Sequence, residues 1–78
     1  MAVQEVLEHI ARSLVDAPDA VQIVREESEG SVILRLSVAP EDVGKIIGRR
    51  GRTVRAIRDV VRAAGTRSGE NAVVEIVG

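Results

Sequence analysis

Chemistry in this sequence concentrates in four residues, Gly48-Arg49-Arg50-Gly51. Two glycines flank a two-residue turn between segments that read as helices. Glycine carries no Cβ, so these positions adopt positive φ at little cost and admit close approach of another backbone. The turn also ends where a helix begins, and the first amides of a helix point outward without intrahelical partners. Those amides and the helix dipole favour an anion. Arg49 and Arg50 place two permanent cations there, with forked donors suited to phosphate. A phosphodiester backbone satisfies all three features. A lone G-x-x-G is a weak signal, equally read as a tight interhelical turn with incidental arginines.

Other candidate chemistries fare worse. The loop does not match the nucleotide-binding pattern G-x-x-x-x-G-K-S/T, and no strand directly precedes it. Glu41 and Asp42 are adjacent carboxylates, but at a helix start they read as dipole-stabilising residues rather than an acid–base pair. His9 is the single histidine and lies on the polar side of an ordinary helical stretch. Without cysteine there is neither a disulfide framework nor a thiolate metal site. No metal site, catalytic residue or cofactor is expected, and the chain reads as a non-enzyme.

Charge distribution strengthens the phosphate reading. The net charge is −1. Between Lys45 and Arg67, however, eight basic residues face one acid, Asp59, leaving +7. The remainder has three basic residues against eleven acids, leaving −8. Such separation predicts one electropositive face, the electrostatic footprint of a polyanion partner. The chain contains no Phe, Tyr or Trp, so nucleic acid cannot be held by aromatic stacking.

The elements that must position this loop follow from periodicity. Val3, Val6, Leu7, Ile10, Ala11, Leu14 and Val15 form one apolar stripe, predicting a helix over Val3–Val15 that ends at Asp16-Ala17-Pro18-Asp19. Val21–Arg25 reads as a short strand and Glu26–Gly30 as a polar turn longer than two residues. Ser31–Val38 alternates, with Val32, Leu34, Leu36 and Val38 on one face. Ala39-Pro40-Glu41-Asp42 opens a short helix that Gly48 stops. Arg52–Ala64 is a third helix with Val54, Ile57, Val61 and Ala64 as its apolar face. Arg52, Arg55, Arg58 and Arg62 make a separate stripe on it. Gly65–Glu70 reads as a loop and Ala72–Val77 as a closing strand. The order α-β-β-α-α-β predicts a single α+β domain over 1–78, a two-layer sandwich with three helices on one face of a three-stranded sheet. The other sheet face would carry Ile33, Arg35, Val73, Glu75 and Val77. Apolar runs are too short to span a membrane. The N-terminus lacks signal-peptide features, so a cytoplasmic location is expected.

Asp42 through Val54, continuing to Arg58, resembles the signature of KH domains: an Ile-Ile-Gly approach, the G-x-x-G loop and an apolar helix in register. The resemblance is strongest to the small stand-alone bacterial KH proteins of the KhpA type, and it covers essentially the whole chain. It implies the type II KH fold and a loop that clamps about four unpaired RNA nucleotides beside an aliphatic groove. By position, Gly48 and Gly51 admit the backbone, while Lys45, Arg49, Arg50 and Arg52 serve its phosphates. Val43, Ile47 and Val54 would floor the groove, with Ile46 in the core and Gly65–Glu70 as the other wall. A post-transcriptional regulator or RNA chaperone is implied. So is a homodimer, or a heterodimer with a larger KH-containing RNA-binding protein. The alternative is a KH fold used chiefly as a protein-interaction module, with Ile33, Val73 and Val77 as its contact surface.

Overall fold

The computed structural model describes residues 2–77. Helix α1 spans Val3–Leu14, strand β1 Gln22–Ser28 and strand β2 Ser31–Ser37. Helix α2 spans Val43–Ile47, helix α3 Arg52–Arg67 and strand β3 Asn71–Val77. Single 3₁₀ turns occupy Pro18–Ala20, Pro40–Asp42 and Arg49–Gly51. The expected α-β-β-α-α-β order is therefore present, and the architecture is α+β.

The sheet order is β1-β2-β3, with β1 antiparallel and β3 parallel to the central strand. Alternation along β2 buries Val32, Leu34 and Leu36, as the sequence pattern predicts. They meet Val3, Leu7 and Ala11 of α1, Ile46 of α2, Ile57 and Val61 of α3, and Ala72 and Val74 of β3. All of this core lies on one side of the sheet. On the other side Val24, Val73 and Val77 remain exposed, and Arg35 bridges Glu26 and Glu75 across all three strands.

Two turn readings need correction. The β1–β2 connection is two residues, Glu29-Gly30, not the longer turn expected. Both have positive φ (45° and 82°), the condition that lets a two-residue hairpin follow the strand twist. Glu26, Glu27 and Ser28 look like turn residues but pair with Ile33, Val32 and Ser31. They sit on an edge strand, where backbone pairing does not require apolar side chains. Similarly, Gly65 does not open a loop. It is buried inside α3, where a Cβ would lie 2.8 Å from the Glu70 carbonyl oxygen and 3.1 Å from Ala72 Cβ. The helix runs on to Arg67, and the chain turns out of it at Gly69 (φ 75°). There the Glu70 amide donates to the Gly65 carbonyl (2.7 Å) and the Gly69 amide to Thr66 (3.2 Å), a Schellman closure.

Candidate nucleic-acid interface

Helix α2 has five residues, too few to persist without tertiary support. Its last turn ends at Gly48 (φ 74°), whose amide donates to the Gly44 carbonyl at 2.9 Å. Glycine is required there on two counts, conformation and space. A Cβ on Gly48 would fall 2.1 Å from Thr53 Oγ1, so the loop's entry lies directly on the first turn of α3. The Gly51 amide returns to the Gly48 carbonyl at 3.1 Å and closes the turn. Arg50 (φ 58°, ψ 26°) and Gly51 (φ 72°, ψ 16°) are both left-handed. For arginine this conformation is uncommon and costs about 1 kcal/mol.

The turn projects Arg49 and Arg50 into solvent at the N-terminus of α3, which has no side-chain cap. Arg49, Arg50, Arg52 and Arg55 are exposed and form no ion pair among the described residues. Four cations thus stand uncompensated beside the positive end of a 16-residue helix. This arrangement favours an anion at the protein's surface and needs no cavity. A depression of about 490 Å³ lies elsewhere, between α1 and α3 around Val6, Val60, Ala63 and Ala64.

The remaining sequence-predicted residues divide. Val43 and Ile47 are half-buried on α2. Val54 is 7% exposed yet stands outside the main core cluster. Ile46 is in that core, as expected. Lys45 is not a free cation. Its Nζ lies 2.7 Å from Asp16 Oδ2 and 3.1 Å from Asp42 Oδ1. These hydrogen bonds, Asp16 first, raise its pKa above the usual lysine value.

The distal arginines are engaged differently. Arg58 Nε donates to the Val74 carbonyl of β3 at 3.4 Å, and Arg62 pairs at 3.7 Å with Asp59 of its own helix. Arg58 and Arg62 line a shallow depression with residues 71–74 of edge strand β3. That strand, and not Gly65–Glu70, faces the arginine flank of α3. Only Ser68–Glu70 lies outside the helix, and a rise of 1.5 Å per residue over its 16 residues puts it about 24 Å from the glycine loop.

Sequence reasoning missed one residue of this region. Asp42, read from sequence only as a dipole-stabilising residue, is 2% exposed. Its Oδ1 accepts the Asp16 amide at 3.2 Å and its Oδ2 the Ala17 amide at 3.0 Å. Burial alone would raise its pKa, but the Ala17 amide, the Lys45 ammonium and the Asp16 amide outweigh burial and hold it below the usual value. Its partners lie 25 and 26 residues away along the chain, so no local pattern announces it.

Comparison with known proteins places the chain in a family. A family model described as KhpA/KhpB, KH domain matches residues 4–76. The chain is 51% identical over 74 residues to RNA-binding protein KhpA of Clostridium acetobutylicum, covering 95% of this chain and 99% of that one. It is 45% identical over 73 residues to RNA-binding protein KhpA of Bacillus subtilis, covering 94% and 90%. Among solved structures, an Aquifex aeolicus Era variant bound to GDP.AlF4− superposes with a TM-score of 0.66 at 16% identity. That match spans 95% of this chain and 29% of Era, and it concerns the fold alone. By sequence, element order and loop geometry, the chain belongs to the KhpA/KhpB family of KH domains.

Proposed function

We propose that this protein binds single-stranded RNA by holding the sugar-phosphate backbone of about four nucleotides on the Gly48–Gly51 loop. The observation that carries this reading is the uncompensated cluster of Arg49, Arg50, Arg52 and Arg55 on a strained turn at the start of α3. The naming of the relatives as RNA-binding proteins supports it. Gly48 and Gly51 admit the backbone, and Arg49, Arg50 and Arg52 neutralise it. The bases rest on Val43, Ile47 and Val54, an aliphatic floor suited to a chain without aromatics. The protein acts by binding and not by catalysis, as a cytoplasmic post-transcriptional regulator or RNA chaperone. Among the described residues no helix is long and apolar enough to cross a membrane.

Replacing Arg49 and Arg50 together with Asp tests the site. Anisotropy titrations of a fluorescent single-stranded RNA, run across a salt series, should show at least a tenfold loss of affinity. The slope of log K against log salt should fall by about 1.4, at roughly 0.7 per phosphate on a single strand. Unchanged affinity in a protein that keeps its circular dichroism spectrum overturns the assignment.

A second reading, association with another KH-containing chain or a second copy, is compatible with the first. Its support is apolar surface left open, chiefly Val60, 49% exposed in the depression between α1 and α3. The open sheet face is a poorer candidate, because the Glu26–Arg35–Glu75 bridge interrupts its valines.

A further inference from the structure

Among the described residues, Asp42 is the one buried charged side chain. A carboxylate removed from water is costly unless donors satisfy it. Here three donors do so, and they come from two separate segments. The amides of Asp16 and Ala17 follow the end of α1, where no helical partner is available to them. The ammonium of Lys45 comes from α2 itself, three residues after Asp42. Asp42 thereby ties the start of α2 to the α1–β1 connection. Gly48 lies at the other end of the same short helix, so the direction of α2 sets where the arginine loop enters.

We infer that Asp42 is the positioning residue of the RNA-contacting loop, and that Lys45 acts as its partner and not as a phosphate ligand. This rests on the proposed RNA clamp. Charge supports the division of labour. One ammonium stands between two carboxylates, Asp16 and Asp42, so the cluster carries a net −1 and offers a phosphate no attraction. The reach is also wrong. The Lys45 side chain extends back toward the N-terminus of α2, away from Gly48, as the two distances to Asp16 and Asp42 require.

The salt dependence of RNA binding separates a positioning role from a phosphate contact. Asp42→Asn keeps the shape but loses the charge and replaces one acceptor by a donor facing an amide. Lys45→Met keeps the aliphatic stem. Both should weaken single-stranded RNA binding about five- to twentyfold with no change in the salt slope. The amide resonances of Gly48–Arg52 in ¹H–¹⁵N spectra should move in both. Val32→Ala, a core change on the central strand, should lower the melting temperature and leave the affinity and those resonances in place. Asp16→Asn should leave the slope unchanged, since Lys45 stays with Asp42.

A slope reduced by about 0.7 in Lys45→Met makes Lys45 a phosphate ligand and overturns the inference. Unmoved Gly48–Arg52 resonances in Asp42→Asn overturn it as well. If Asp42→Asn does not fold, Lys45→Met and Asp16→Asn decide alone, because neither side chain is buried (43% and 82% exposed). The Arg49/Arg50 double variant keeps the two readings apart. Binding that survives it removes the clamp, while the resonance shifts still decide whether Asp42 positions the loop. Binding lost there but intact in Asp42→Asn and Lys45→Met removes this inference alone.

Discussion

Arg50 holds a left-handed backbone that glycine would adopt without strain, yet the residue there is a long cation. Conformational strain of this kind persists where the surrounding structure over-determines it, and it concentrates at functional positions. The closing Gly51–Gly48 hydrogen bond and the contact of Gly48 with Thr53 supply that constraint here. Arg50→Gly therefore separates stability from binding. Chemical denaturation should show unchanged stability or a gain of up to about 1 kcal/mol, because strain is relieved while the unfolded chain gains freedom. RNA affinity should fall by about three- to tenfold with the loss of one charge-assisted phosphate contact. A variant that binds as well as the parent would mean that Arg50 serves only the turn.

At the level of elements, α3 owes its length to a close approach and not to propensity. Alanine is favoured over glycine in a helix by about 1 kcal/mol, which on local grounds makes Gly65→Ala stabilising. Tertiary packing reverses the sign. The added methyl would meet the Glu70 carbonyl oxygen at 2.8 Å and Ala72 Cβ at 3.1 Å, where backbone cannot retreat without opening the Schellman closure. Gly65→Ala should cost about 1–3 kcal/mol, the range for overpacked sites, as read from urea unfolding. A stabilised protein would show that the α3–β3 junction is looser than its hydrogen bonds imply. Local signals explain the misreading of this junction. Gly65 and Gly69 are both plausible helix stops, and only the crossing of β3 beneath Gly65 selects the later one. The Glu29-Gly30 turn was hidden for a related reason, since the polar end of β1 has no apolar alternation to display.

On the scale of the whole molecule, an almost neutral chain carries a strongly divided surface. On the sheet, acids and bases pair, as in Arg25 with Glu70 and Glu27, and Arg35 with Glu26 and Glu75. Among the described residues the arginines of the glycine loop remain outside such pairs. Binding to RNA should thus be local and salt-sensitive despite a net charge of −1. One exposed apolar patch lies apart from these arginines, on the α1–α3 flank around Val60. The proposed association through this flank predicts that Val60→Asp lowers the sedimentation coefficient while leaving RNA binding within about twofold. An unchanged sedimentation coefficient would move the interface to another face.

The sequence by itself determined the element order, the apolar faces of α1, β2 and α3, and the glycine–arginine loop. Each of these is written in short-range periodicity or in backbone permissions local to a few residues. Tertiary structure alone decided which cations are available. Lys45 and Arg49 are both cations in the sequence, but Asp16 and Asp42 engage the first, and nothing among the described residues engages the second. It likewise decided that Asp42 is interior, because its partners arrive from the far end of α1. Charge type is a property of the residue, whereas compensation and burial belong to neighbours that only folding brings together.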